Sequence, residues 1–341
     1  MTPGRRGFVL PFVLLAVATG SLLAFALVND GWQSARAVRL AETGSAALDA
    51  AEEGVALALA HWEADSVWAT PPGGIATRRF VTAGGRPVDV EWQRTHPLVA
   101  MLRTRAGFPG TARRGPVQRE VLRAVWLQVP QWPIPAALTV TGSVTGQQGT
   151  LLSGLDVPTP ASPCGMVRDT SSVAAVAAQS VSGDPMMAWP GQPLPVAEPP
   201  GVTDSVTSAM PRVSSRASRL SPTGPTPFPV RNGWQALVLT GLSVAIEGPT
   251  LWRGLVVVEG SLTMRGPVTV EGLLVVRGPL DARAAQLLVR GAVLVVDPNG
   301  GGAALGAASR LFYDRCAIQM ALATVARPAL RPFSLWQSLS R

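Results

Sequence analysis

Six glycines, Gly248, Gly254, Gly260, Gly266, Gly272 and Gly278, follow one another at intervals of six residues, and no other feature limits so strongly what this chain can become. Glycine accepts a tight corner without a Cβ penalty, and the residues between the corners read LVVVE, PVTVE and LLVVR, rich in side chains that fill a narrow bore. A short glycine period interleaved with β-branched residues predicts a parallel β-helix or related solenoid over residues 236–300. Its rival is an antiparallel meander of five-residue strands, which shows the same alternation. The residue before each glycine alternates in sign: Glu247, Arg253, Glu259, Arg265, Glu271, Arg277. A coil of 18 residues, three hexads, stacks Glu247 over Arg265, Arg253 over Glu271 and Glu259 over Arg277, whereas a coil of 12 stacks like on like, so the charges favour 18.

The other end of the chain is governed by hydropathy. After Arg5, Arg6 and Gly7, residues Phe8 to Val28 carry no charge. These 21 residues, as a helix, would measure roughly 31 Å, close to the hydrocarbon thickness of a bilayer. The basic pair before them favours a cytoplasmic N-terminus and a translocated remainder. A signal peptide would have a shorter apolar core and a small-residue cleavage site, and Asn29-Asp30-Gly31-Trp32 follows here instead. Pro11 falls in the first turn, where its missing N–H costs little. Beyond the span, Val38, Ala41, Ser45, Leu48, Ala51, Val55, Leu59 and Trp62 recur at helical spacing, predicting an amphipathic helix over 29–63 that continues the anchor.

A basic leader ending in Gly7, then Phe8, an uncharged span and the helix AALDAAEEGVALALAHW at Ala46–Trp62 resembles the type IV pilin-like proteins, closest to minor pilins of the PilX type and the tip pseudopilins of type II secretion. The resemblance covers residues 1–63. It implies that a prepilin peptidase cuts between Gly7 and Phe8 and methylates the new amino terminus at Phe8. It also implies other pilins or pseudopilins as partners. One position departs from the pattern: the fifth mature residue of major pilins is usually Glu, and here it is Phe12, as tip-type and PilX-type members tolerate. The glycine repeat is likewise similar to β-helical segments of PilX-type proteins and of bactofilin filaments.

Between these ends, Val88–Trp92 alternates cleanly and Leu98–Leu102 and Val121–Val129 read as strands, predicting a small antiparallel sheet over 78–130. Residues 131–235 give weaker signals: Gly142, Gly146, Gly149 and Gly154 among Thr and Val suggest short strands with tight turns, and the Pro-, Ser- and Thr-rich stretch 184–230 reads as long loops or a linker. Past Asp297, a Gly-rich turn leads to Ser309–Val325, where Leu311, Arg315, Ile318, Leu322 and Val325 share a helical face. This predicts a helix within 303–341 that caps the solenoid's open end, ended by Arg327-Pro328.

Composition argues against several functions. All 29 basic residues are Arg, scattered and often alternating with Glu, so the net charge of +8 forms no cationic stripe and no nucleic acid is expected as a partner. His61, His96, Cys164 and Cys316 do not make a spaced zinc motif, and no metal or cofactor is expected. Cys164 and Cys316, 152 positions apart, form one disulfide if the body lies outside the cytoplasm, or stay as two buried thiols. The glycine hexad lacks the G-K-[ST] ending of a phosphate loop, and no nucleophile–base arrangement stands out, so an enzyme is not expected. The expected fold class is α+β, mainly β: a leader at 1–7, a span at 8–28, then helix, antiparallel sheet, solenoid and capping helix. The expected function is a minor pilin-like subunit in a type IV pilus or secretion pseudopilus, single-pass in the inner membrane through contacts of residues 8–28 with lipid, with an extracytoplasmic body. The alternative is an anchored β-helix scaffold or adhesin-like binding protein that enters no fibre.

Overall fold

The computed structural model describes residues 9–62, 72–108, 117–156, 172–183, 187–189, 201–222, 224, 233–330 and 336–338. A single helix, α1 (Val9–Ala60), holds 52 residues, about 78 Å at 1.5 Å per residue. From Leu10 to Glu42 every side chain on it is exposed. Beyond that point it lies on a sheet, and the residues it buries are Gly44, Ala47, Ala50, Ala51, Gly54, Val55 and Ala58. This face is turned from the expected one: Val38, Ala41 and Ser45 stay exposed and Leu48, Leu59 and Trp62 only flank the contact. The reason is distance of approach. A Cβ on Gly54 would collide with Val88 Cγ1, and the Thr104 hydroxyl donates to the Ala51 carbonyl at 2.8 Å, so the closest contact selects the smallest residues rather than the most apolar ones.

The sheet is an antiparallel meander of β1 (Ile75–Val81), β2 (Pro87–His96), β3 (Val99–Phe108) and β4 (Val117–Gln128). One face alternates inward, with Val88, Val90, Trp92, Ala100, Leu102, Ala106, Val121 and Val125 buried beneath α1, as period-two patterning requires. The C-terminal segment, expected only as a helix and tail, returns to this sheet: β19 (Arg327–Leu330) and β20 (Trp336–Ser338) both pair antiparallel with β4.

Everything between β4 and β19 is a detour into a parallel solenoid. In chain order its strands are β5 (Ala136–Val140), β6 (Ser143–Gly146), β7 (Leu151–Ser153), β8 (Ala174–Ala177), β9 (Ser180–Gly183), β10 (Met187–Trp189), β11 (Ser218–Leu220), β12 (Gln235–Leu239), β13 (Ser243–Glu247), β14 (Thr250–Val258), β15 (Ser261–Val276), β16 (Leu280–Val295), β17 (Ala303–Leu305) and β18 (Arg310–Tyr313). All pair in parallel, which disposes of the antiparallel meander. Across β14 and β15 partners lie 18 residues apart, as Arg253↔Glu271 and Gly254↔Gly272 show. A register shift between Thr263 and Arg265 adds one residue to the next coil, giving Gly272↔Gly291.

The pairings form three stacks, and so three faces. On the first, β12 and the C-terminal parts of β14, β15 and β16 are buried without a break, at Leu255–Val258, Leu273–Val276 and Ala292–Val295. Alternate side chains there fill the bore, and the others pack under two helices, α2 (Val202–Ser214) and α3 (Arg315–Ala323), through Val202, Val206, Met210, Val213, Ile318 and Leu322. The C-terminal helix predicted over Ser309–Val325 thus begins later, after strand β18, with the Asp314 carboxylate accepting from the Ala317 N–H at 2.9 Å as N-cap. It packs along the flank of β14, β15 and β16. Helix α2 falls within the stretch read as loops or linker, where its short polar residues masked the Val202, Val206, Met210, Val213 spacing.

Stack order departs from chain order. The coil after β16–β17–β18 is built from the earlier segment 136–153, through β16·β5, β17·β6 and β18·β7, and the next from β8, β9 and β10. Coils therefore extend beyond residues 236–300 into the region whose irregular glycine spacing concealed them. Gly154 shows how tight these coils are, since a Cβ there would run into the Val173 carbonyl.

Candidate functional site

The residues singled out from the sequence fall in three places. Gly7 and Phe8, at the expected cleavage point, and Cys164 lie outside the described residues. Cys316 is disulfide-bonded; it sits in the first turn of α3, buried beside Asp314. Burial and the nearby Asp156 push the Asp314 carboxyl above the usual carboxylate range, opposed by N–H donation from Ala317 and Cys316.

The six glycines divide into two kinds. Gly248, Gly260 and Gly278 lie between strands, as corners. Gly254, Gly266 and Gly272 lie inside continuous strands, where positive φ bends the chain without ending the ladder, with φ of 126°, 72° and 133°. Gly254, Gly272 and Gly291 form one column, and a Cβ on either of the upper two would strike the carbonyl oxygen of the glycine beneath. The charges stack as expected for two of the three pairs: Arg253 Nε reaches Glu271 Oε2 at 2.7 Å, and Arg265 Nη1 stands 4.0 Å from Glu247 Oε1. Glu259 and Arg277 follow paired Val258 and Val276, but no ion pair joins them among the described residues.

The outer face of the antiparallel sheet carries a continuous charge lattice. Arg79 meets Asp89 at 2.6 Å, Arg103 meets Glu91 at 3.4 Å and Glu120 at 3.0 Å, and Arg105 meets Glu120 at 2.9 Å. All of these but Glu120 line a shallow depression of about 430 Å³, and each carboxylate of the lattice has a guanidinium partner. Beneath the sheet rim Arg94 is 1% exposed and donates to the Pro97 carbonyl at 2.8 Å; burial lowers its pKa to about 10. The two histidines are apart in role: His61 Nδ1 lies 3.0 Å from the Leu57 carbonyl, and His96 accepts from the Leu98 N–H and is shifted down by burial and by Arg94. Among the described residues no three His, Cys, Asp or Glu side chains gather where a metal ion could be held.

What remains is the most extended uncovered apolar surface among the described residues, the N-terminal part of α1. Leu10, Phe12, Leu14, Leu22, Phe25 and Leu27 are each about two-thirds exposed, and this is one helix long and apolar enough to cross a membrane. Sequence reading found this surface because an uncharged run needs no tertiary information. It could not find the approach of Asp156 to the start of α3, where the Arg315 N–H donates to the Asp156 carboxylate at 3.1 Å.

No family profile and no curated protein matches the chain. Among solved structures a distant neighbour is the crystal structure of the competence-associated pilin ComZ from Thermus thermophilus, which is 11% identical, aligns over 87% of this chain and 98% of that chain, and has a TM-score of 0.29.

Proposed function

We propose that this chain is a membrane-anchored, pilin-like structural subunit that joins a type IV pilus or secretion pseudopilus as a minor component. The observation that carries the reading is the single helix α1. Residues 10–28 of it are exposed and uncharged, and residues 44–58 fix it to a four-stranded meander by a stripe made mostly of Gly and Ala. An exposed face of this kind is stable in water only if lipid or other helices cover it. The solenoid leaves the sheet after β4 and returns to β4 through β19, so the helix and sheet form one module, which in this reading displays the solenoid outside the cytoplasm.

In this reading a prepilin peptidase removes residues 1–7 and methylates Phe8. Phe12, 67% exposed, then occupies the fifth mature position and offers no carboxylate to a neighbour's amino terminus, so the chain joins subunits that carry one and does not polymerise alone. The role in this reading is structural. Intact-mass measurement of the native protein tests this: a mature start at Phe8 is expected, and a start at Met1 or near residue 30 sinks the reading. A second reading, a permanently membrane-resident display of the solenoid, draws on the two solenoid faces that no helix covers among the described residues. Recovery of the chain in sheared fibres decides for the first reading, and retention in the membrane under all conditions for the second.

A further inference from the structure

We propose that the helix just beyond the span carries a phospholipid-headgroup site formed by Trp32, Arg36 and Arg39, which fixes the depth of the anchor in the body-side leaflet. The inference rests on the membrane-anchored reading above and extends it by four turns of helix. Residues 29–42 of α1 touch neither the sheet nor the solenoid and are exposed throughout. Trp32 is 77% exposed, an unusual state for an indole in an otherwise well-packed molecule. At 100° per residue, Trp32, Arg36, Arg39 and Thr43 share one face, and Asp30 lies on the opposite one. That face contains no carboxylate, and among the described residues neither Arg36 nor Arg39 has an ion-pair partner.

Height and direction point to the same occupant. Trp32 lies four residues past Val28, about 6 Å beyond the hydrocarbon edge and within the headgroup layer, where amphipathic indoles settle. Arg36 and Arg39 stand one and two turns higher. In a helix every Cα–Cβ bond tilts towards the N-terminus, and the N-terminus of α1 is the membrane end, so both arginines lean back towards the phosphates: Arg36, about 12 Å beyond the hydrocarbon edge, reaches down into the headgroup layer, and Arg39, about 16 Å beyond it, stands over the outer side of that layer. Charge complementarity and direct continuity with the apolar span select lipid phosphate, which a guanidinium can grip with two parallel N–H donors.

The test uses the full chain labelled with 5-fluorotryptophan in vesicles of equal parts phosphatidylcholine and phosphatidylglycerol. Ten indoles are present, and the fluorine signal missing from Trp32→Phe identifies Trp32. A lipid carrying gadolinium on its headgroup should broaden that signal and spare those of buried Trp92 and Trp252. Native mass spectrometry of the detergent-extracted chain should show preferential retention of phosphatidylglycerol, falling roughly thirtyfold in the Arg36→Gln/Arg39→Gln double variant and only partly restored, short of the wild type, in Arg36→Lys/Arg39→Lys, which keeps the charge but not the paired donors. A chain that does not float with vesicles overturns both the anchored reading and this site. A chain that floats while the Trp32 signal is untouched, or is broadened only by a spin-labelled second copy, overturns the site alone. So does unchanged lipid retention in the double Gln variant.

Discussion

The helix–sheet module and the solenoid solve the same problem, burying an apolar sheet face, with opposite use of side chains. Under α1 the partner is brought close by having almost no side chain: Gly54 meets Val88 and Thr104, Ala51 accepts from the Thr104 hydroxyl, and Gly44 lies against Arg119. In the solenoid the strands supply the volume themselves, with Leu262, Met264, Val268, Val270, Leu274 and Val276 filling a bore, and glycines such as Gly254, Gly260, Gly272 and Gly291 stand where one backbone crosses close above another. The sheet module thus stores its tightness in contacts between side chains, which can shift, whereas the solenoid stores it in contacts between backbones, which cannot without loss of ladder hydrogen bonds.

That contrast is breakable by mutation. The largest effect is expected at Gly272→Val, where φ of 133° is joined by a collision with the Gly254 carbonyl; loss of more than about 4 kcal/mol, or no folded protein, should appear in thermal melts followed by circular dichroism. Gly266→Ala meets no atom closer than 3.5 Å, so it should cost only the strain of positive φ, about 1–2 kcal/mol. Equal costs at the two sites would show that crowding between coils does not limit the stack.

Next in size is Cys316→Ser. If Cys316 is bonded to Cys164, the closed loop is long, and the chain-entropy estimate is about 4–5 kcal/mol as an upper value. Thiol labelling of unreduced, denatured protein should find no free thiol, and two labelled thiols would remove the bond from the account. In the helix–sheet contact, Gly54→Leu should cost about 1–3 kcal/mol, because Val88 and the helix can move apart; a cost matching Gly272→Val would erase the distinction drawn here.

Smaller effects follow at the edges of the two regions. Asp314→Ala removes the cap of α3 and should cost about 1 kcal/mol. Asp314→Asn keeps a capping oxygen while removing a buried charge. Because the folded carboxyl is held above its unfolded value, protonation favours folding: that contribution is complete below the unfolded pKa of about 3.9 and is lost as pH rises through the folded value. The Asn variant should therefore gain on the wild type in melting temperature as pH is raised from acid to neutral, and a gain that grows towards acid would reverse the assignment. Smallest of all, Arg253→Gln breaks an ion pair with Glu271 that is partly exposed and should change stability by about 0–1 kcal/mol, leaving the 18-residue register intact by crystallography.

Legibility in the sequence followed the same divide. The strands of the sheet showed as clean alternation because one face is covered and the other carries the Arg–Glu lattice. The coils between Gly248 and Gly278 showed as a period, with two of the three expected charge pairs, Arg253–Glu271 and Arg265–Glu247, facing each other. The coils made by residues 136–153 and 174–189 did not, since their glycines follow local close approaches such as Gly154 against Val173 and keep no fixed spacing. Runs such as Leu255–Val258 and Leu273–Val276 did hold a signal that could have been taken further: strands apolar on both faces need a cover, and α2 and α3 supply it.

The sequence alone determined what depends on neighbours along the chain: an uncharged helix long enough to span a bilayer, a strand period, and a corner spacing that sets the number of residues per coil. Tertiary structure decided what depends on distance in space. It turned the buried face of α1 towards its glycines, because approach distance outranks hydrophobicity there. It also seated an early segment beyond a late one in the stack, because a parallel edge left open by β16, β17 and β18 accepts any strand of matching register, whatever its place in the chain.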